Sequence, residues 1–326
     1  KLKIIRLPEG IKDVAQLNEN GQSKVFTDAF WAAKPYTPAG IVSGLDTWEA
    51  LVNRRKVKSV PYPWVGLNTF TRGHRPYELV TITSGAGMGK SAVIRKLTHC
   101  FRDDLEGNIG VLALEEDTTR TTLGIMSVEA SLPLHLEEDL EMDEIKPYWD
   151  ATLGTGRYYL FDHFGSTNED TIINRCRYMI KGLDCQVLLI DHLSIIVSAQ
   201  EQSDERKAID SIMTKLRTLV QETGVRMFLV SHLSRTQGKG HENGGEIGLN
   251  HLRGSQAIAQ LSDIVIGLER DQQALDPELR NTTCVRVLKN RYTGETGPAC
   301  WLLYDKETGC LDEVARPIED GGDSEF

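Results

Sequence analysis

None of the six cysteines (Cys100, Cys176, Cys185, Cys284, Cys300, Cys310) forms a CxxC pair with another. That absence argues against a zinc or disulfide framework, and since several of the thiols lie in apolar runs they are expected to be buried and free in a reducing cytosol. No apolar run approaches the length of a membrane span and no leader pattern opens the chain, so the expectation is a cytoplasmic protein with no membrane partner. The chain starts at Lys1 rather than Met, which suggests a piece of something longer. Internal repeats are missing too. Bases are the minority, 37 Lys and Arg against 47 Asp and Glu for a net charge of −10, a balance that looks wrong for a nucleic-acid protein. The acid is unevenly placed, however. From Asp312 to the end, six acids oppose the single base Arg316, so half the imbalance sits in a tail and the body can still carry a local basic surface.

What is present is a phosphate-binding loop. The run Ser84-Gly85-Ala86-Gly87-Met88-Gly89-Lys90-Ser91 is entered from the strand-like Leu79-Val80-Thr81-Ile82-Thr83 and leads into the helical Ala92-Val93-Ile94-Arg95-Lys96-Leu97. Small residues let successive backbone N–H groups turn inward on an anionic phosphate chain at a helix N-terminus, where the dipole already favours negative charge. Lys90 then reaches the β- and γ-phosphates and Ser91 ligates Mg²⁺. Ser84 departs from the GxxxxGK[ST] pattern, whose first position is Gly.

A chain of 326 residues fits one large α/β domain plus an extension. Short apolar runs (111–114, 158–161, 187–190, 227–230, 264–268, 285–288, 300–304) alternate with helical patterns. That alternation predicts a doubly wound, mostly parallel sheet covered on both faces. The clearest helix spans 204–222, with Ile209, Ile212, Met213, Leu216, Leu219 and Val220 on one stripe and Ser203-Asp204-Glu205 as its start. Residues 1–75 differ. There Ser43-Gly-Leu-Asp46 resembles a capping box opening a short helix between Pro- and Gly-rich stretches, which reads as a linker with one docking helix.

Three strand ends carry the remaining chemistry. Val187-Leu-Leu-Ile-Asp191 ends in a carboxylate that can hold Mg²⁺ through water beside a P-loop. Leu114-Glu115-Glu116 offers a base for the water that attacks a γ-phosphate; Glu115 is the first choice and Glu116 the second, and the bland alternative is that both merely open the next helix. Val230-Ser231-His232 places a polar ring where a γ-phosphate can be sensed. The glycine-rich stretch 234–245, with Arg235 and Lys239, reads as a mobile loop suited to gripping phosphates.

The segments SGAGMGKS, LALEE, LLIDHLSIIVSAQEQSDERKAIDSIMTKL, SHL, HLRGSQAIAQLSDIVIGLERDQQ, LKNRYTGETG and YDKETGCL occur in the order found in DnaB-type ring helicases. They most resemble the helicase half of T7-like phage primase-helicases, from about residue 76 to 312. The resemblance implies a RecA-like P-loop NTPase fold within a replicative DNA helicase, a homo-oligomeric ring, commonly a hexamer, that moves along single-stranded DNA in the host cytoplasm with ATP or dTTP and Mg²⁺. On this likeness Lys90 and Ser91 hold phosphates and metal, Asp191 organises the metal, Glu115 activates water, and His232 and Gln260 sense the γ-phosphate. Arg291 matches an arginine finger reaching a neighbour's site with Lys289 beside it, and Arg270 and Tyr304 match a pair that stacks the nucleotide base. DNA contact would come from 198–206 with Arg206, from the loop holding Arg235 and Lys239, and from Arg253; few aromatics line these loops, favouring a sequence-independent backbone grip.

The organisation implied is 1–35 as the remnant of a topoisomerase-primase-type domain, 36–75 as the linker with its docking helix, 76–312 as the helicase domain and 313–326 as an acidic disordered tail. The zinc module and the primase acids are absent, so no priming is expected. The tail ends in Phe326, and the resemblance implies that it engages a replicative DNA polymerase. Two alternatives stay open at this point: a recombinase-like filament ATPase, or an NTP-gated assembly scaffold.

Overall fold

The computed structural model describes all residues except 1, 37, 39, 54–56, 163–168, 193–201, 234–239, 242, 253–255 and 318–326. The chain divides into two units, Lys1–Lys56 and Val57–Phe326. In the first, β1 (Lys3–Ile4) pairs antiparallel with β2 (Lys34–Pro35), enclosing α1 (Val14–Glu19) and α2 (Ser23–Trp31) in sequence. Asp13 starts α1 by accepting the Gln16 N–H at 2.9 Å. The capping-box segment opens a 3₁₀ turn, Gly44–Asp46, because Ser43 Oγ accepts from Leu45 N, two residues on rather than three; α3 (Thr47–Val52) follows.

The second unit is built on one sheet. Its elements are α4 (Val65–Thr71), β3 (Leu79–Ser84), α5 (Lys90–Asp104), β4 (Asn108–Ala113), α6 (Thr118–Ala130), α7 (Met142–Ala151), β5 (Tyr158–Leu160), α8 (Glu169–Gly182) and β6 (Cys185–Asp191). They continue with α9 (Gln202–Thr223), β7 (Arg226–His232), α10 (Gln256–Leu261), β8 (Ile264–Glu269), α11 (Pro277–Asn281), β9 (Thr282–Asn290), β10 (Gly297–Tyr304) and β11 (Leu311–Val314). The order across the sheet is β11-β10-β9-β8-β3-β7-β6-β4-β5. From β8 to β5 every neighbouring pair is parallel, and β9, β10 and β11 add an antiparallel edge.

All six residues of β3 are buried, with Val80 and Ile82 in one apolar cluster and Leu79 in another. A strand buried on both faces needs a layer over each. One layer holds α5, through Val93, Ile94, Leu97 and Phe101. The other holds α8 and α9, and the predicted α9 stripe from Ile209 to Val220 is at most 2% exposed. Each such Leu or Ile contributes about 1.5–3 kcal/mol by leaving water. The predicted linker over 36–75 divides: residues from 57 on belong to the second unit, where Val60, Tyr62, Trp64 and Leu67 join its core. The reason is local. Glu313 on β11 accepts the Val65 and Gly66 N–H groups at the start of α4, and a Cβ at Gly66 would lie 2.2 Å from Ala299 O, so the backbones meet directly.

The strand order positions a site. The chain leaves β3 for β4 on one side, passing β7 and β6, and later adds β8 on β3's other side. At such a switch point the carboxyl ends of the strands leave a crevice. Among the described residues, no helix is long and apolar enough to cross a membrane.

Candidate nucleotide-binding site

Five consecutive parallel strands bring their carboxyl ends together, and each delivers a residue singled out from the sequence. β3 runs into the P-loop. Gly87 and Gly89 sit at φ +68° and +90°, the left-handed region that favours glycine, whereas Ser84 is still strand, buried and paired in register with His232 and Leu268. The missing first Gly is therefore tolerated without strain. Ser84 Oγ also accepts from Lys90 Nζ at 3.1 Å. Lys90 is buried and donates to Gly85 O at 2.8 Å; burial lowers its pKa while Asp191 and Glu115 oppose that shift. Ser91 follows in the first turn of α5.

Asp191 ends β6 with its side chain only 6% exposed and its Oδ1 without a hydrogen bond. Burial, then Glu115 and Glu116, push its pKa up to about 7. A buried carboxylate oxygen with no donor, beside a phosphate loop and a hydroxyl, is a donor set suited to Mg²⁺, which takes oxygen ligands. Glu115 lies just past β4 with its side chain 48% exposed, and burial raises its pKa. Glu116 is committed elsewhere, bonded to Arg95 at 3.0 Å and Arg120 at 3.4 Å, and Asp117 caps α6 by accepting from Arg120 N. The next helix is thus opened by Asp117, leaving Glu115 for other work.

His232 ends β7 with Nε2 3.7 Å from Glu115 Oε1. A residue the sequence reading passed over stands between them. His192, directly after Asp191, is 3% exposed, places Nε2 2.9 Å from Glu115 Oε2, and stacks on His232 with centroids 3.9 Å apart at 22°. Burial, then His232 and Lys90, depress its pKa to about 3, so the ring is neutral. The Glu115, His192 and His232 ligand atoms lie within 4.8 Å of one another. Nearly parallel stacked imidazoles do not converge at the tetrahedral angles of a zinc site, and within the trio the contact at hydrogen-bond distance is His192 Nε2 to Glu115 Oε2. The only sequence signal for His192 was its place after the strand-ending Asp.

Beyond β8, Arg270 donates to Gly87 O, and Gln272, another residue the sequence reading did not single out, donates to Ala86 O at 3.1 Å. Arg270 and Tyr304 line one cleft of about 200 Å³ with Ser127, His135 and Leu311. An Arg fork and a phenol ring across a cleft beside the P-loop can sandwich a planar base.

Three predicted residues stand elsewhere. Arg291, just past β9, donates to Gln260 O and pairs with Asp263 Oδ1 at 3.3 Å; Lys289 donates to the carbonyls of Gln260 at 3.1 Å and Ser262 at 2.7 Å. They occupy the opposite end of the sheet, since Asn290 pairs with Ile264 whereas the P-loop leaves from Ser84, opposite Leu268. Four residues of strand separate the levels, roughly 13 Å at the usual rise. Gln260, exposed on α10, belongs with Arg291 and not with His232. Arg206 is exposed on α9, while Arg235, Lys239, Arg253 and Phe326 lie outside the described residues.

The model of the DnaB-like helicase C-terminal domain matches residues 60–311. The chain belongs to that family. A DNA helicase/primase of Enterobacteria phage T3 is 36% identical over 325 residues, covering 96% of this chain and 56% of that protein. The replicative DNA helicase DnaC of Bacillus subtilis is 22% identical over 290 residues, 86% of this chain and 63% of that one. The chain thus spans between about half and two thirds of these relatives' length. Among solved structures, the ATPase domain of G40P superposes with a TM-score of 0.64 at 20% identity, over 83% of this chain and 97% of that chain. A DnaB-like replicative helicase, solved to examine its interactions with primase, gives 0.65 at 20% identity over 91% and 74%. These two structures establish the RecA-like fold of the family's ATPase domain.

Proposed function

We propose that this chain is the motor of a replicative DNA helicase, a ring-forming NTPase that moves along single-stranded DNA and separates duplex at a fork. The observation that carries the proposal is a divided site: Lys90, Glu115, Asp191 and His232 assemble around the P-loop, while Arg291, Lys289 and Gln260 stand at the far end of the sheet, four strand residues or roughly 13 Å of strand rise from the P-loop level. A cation too distant for its own nucleotide is available to a neighbour's, and head-to-tail contacts of that kind form a ring where the rotation between subunits closes.

In the assembled site the nucleotide, ATP or dTTP, lays its base between Arg270 and Tyr304 and its phosphates on the P-loop with Lys90. Ser91 and Asp191 would hold Mg²⁺, and the bound ion would supply positive charge to offset that of the phosphates. Glu115 accepts a proton from water as its oxygen bonds to the γ-phosphorus and the bond to the β-bridging oxygen breaks. His232 reports the γ-phosphate, and the neighbour's Arg291 stabilises the charge that develops. Single-stranded DNA is gripped by Arg206, Arg235, Lys239 and Arg253 through its backbone. The T3 relative suggests a phage protein working in bacterial cytoplasm. Strand displacement on a forked duplex, run with each NTP and dNTP in turn, tests the reading; hydrolysis without displacement under every nucleotide would refute it.

The acidic end, 319–326, is proposed to dock on a replicative polymerase. Its charges speed encounter with a basic cleft and Phe326 prolongs residence. Deleting those residues leaves hydrolysis and unassisted unwinding intact and weakens salt-sensitive polymerase binding. Equal polymerase affinity for full and shortened chains at low salt would reduce the tail to a solubilising end.

A further inference from the structure

His192 has no part in the chemistry just described, yet its backbone and its ring are both constrained. It sits at φ +72°, a backbone region that side-chain-bearing residues seldom adopt, at the point where β6 ends. Its ring is buried against the His232 ring, and its Nε2 faces two carboxylate oxygens, Glu115 Oε2 at 2.9 Å and Asp191 Oδ1 at 3.5 Å. An ionised carboxylate can only accept, so at 2.9 Å the proton lies on Nε2. That bond occupies one oxygen of Glu115. The other, Oε1, is left facing His232 across 3.7 Å.

We propose that His192 is a positioning residue for the water-activating carboxylate: by donating Nε2–H to Glu115 Oε2 from a ring clamped against His232, it aims Oε1 at the attacking water. The inference rests on the reading of Glu115 as the base. A strand-end turn in the left-handed region is what brings the ring back over the sheet edge toward β4, and the stack against His232 removes its freedom to swing away. A half-exposed glutamate without this anchor would sample several rotamers, few of them aimed.

The test compares three substitutions at His192 in the full chain with Glu115→Gln as reference, measuring kcat, KM for nucleotide, nucleotide affinity and assembly. His192→Phe keeps the stacked ring and loses the donor, and kcat should fall about 10- to 100-fold with KM unchanged, the scale of losing alignment at a reacting centre. His192→Gln carries an N–H to about the reach of Nε2 and should recover most of that loss. His192→Asn tolerates the left-handed backbone but its amide stops short, so it should be as slow as Phe. Equal losses in Phe and Gln, or a rise in KM that follows the fall in kcat, would mean a packing role and overturn the proposal. Normal turnover in His192→Phe alongside an inactive Glu115→Gln would overturn the positioning role and leave the base assignment standing. Normal turnover in Glu115→Gln would remove both.

Discussion

The two ends of the central sheet hold their functional side chains in opposite ways. At the carboxyl end Lys90, Glu115, Asp191, His192 and His232 face one another across a crevice, with one carboxylate oxygen left without a donor. At the other end Arg291 and Lys289 are fastened to the backbone carbonyls of Ala259, Gln260 and Ser262 and to Asp263, which also accepts from Leu79 N and Arg217. One end presents a phosphate loop beside a buried carboxylate oxygen with no donor; the other holds its cations on its own chain. If Arg291 serves a neighbouring subunit as proposed, the γ-phosphate there, carrying more charge than a carboxylate, would draw it from Asp263, and that exchange would couple adjacent sites.

The strongest way to break this contrast is at the far end. Arg291→Ala should lower hydrolysis by about 10³–10⁵ if it serves as an arginine finger. Acting in trans, it should be rescued in part by mixing with Lys90→Ala subunits, because a hybrid interface then joins an intact P-loop to an intact Arg291. Steady-state hydrolysis of mixed rings, with composition confirmed by native mass, decides the matter: no recovery on mixing means that the far end does not serve its neighbour.

Within the near end, Glu115→Gln should cost about 10²–10⁴ in turnover, the usual range for a general base, while nucleotide binding and assembly persist. Glu116→Gln should cost far less turnover and more stability, since it breaks pairs with Arg95 and Arg120 that are about 14% and 59% exposed. The reverse ranking would exchange the roles of the two acids. A third change tests DNA contact. Arg235→Ala with Lys239→Ala should weaken single-strand binding alike across sequences and flatten the slope of log affinity against log salt by roughly 2, leaving basal hydrolysis in place; an unchanged slope would turn that loop toward solvent.

The near end was legible in the sequence because strand periodicity and strand termini are local signals. An unbroken apolar run must stop where the sheet does, and the polar residue at its stop, Asp191 or His232, falls at the crevice by construction. The α9 stripe was legible for the same reason, a period matched to one buried face. His192 was not, because its role depends on a positive φ that nothing in Ile190-Asp191-His192 announces. Residues 57–75 read as linker from their prolines, although Tyr62 and Trp64 are core; what reveals that is the approach of α4 to β10 and β11, about 240 residues later. The far end was visible only through resemblance. Arg291 alone is a base after a strand, and its separation from the P-loop emerges from the antiparallel register of β8 and β9.

The smallest effect expected is the one that best defines what the near end requires. Ser84 stands where the common pattern has glycine, so Ser84→Gly would restore the pattern and, on motif grounds, should help. The structure argues otherwise. Ser84 is fully buried strand in pairing register on both sides, its hydroxyl bridges Lys90 Nζ at 3.1 Å and Gly85 O at 2.8 Å, and its backbone needs no left-handed angle. Glycine there removes two hydrogen bonds, each worth about 0.5–1.5 kcal/mol net, and adds the entropic penalty of an unsubstituted strand residue, about 0.5–1 kcal/mol. Unfolding temperature should drop by roughly 3–16 °C, at about 2–4 °C per kcal/mol for a unit of this size. Turnover should stay within a few-fold, because Lys90 keeps its carbonyl contact and Gly87 and Gly89 still make the turn. If turnover instead falls tenfold at unchanged nucleotide affinity, the Ser84 hydroxyl is steering Lys90 during the reaction, and the near end depends on one more side chain than the P-loop itself supplies.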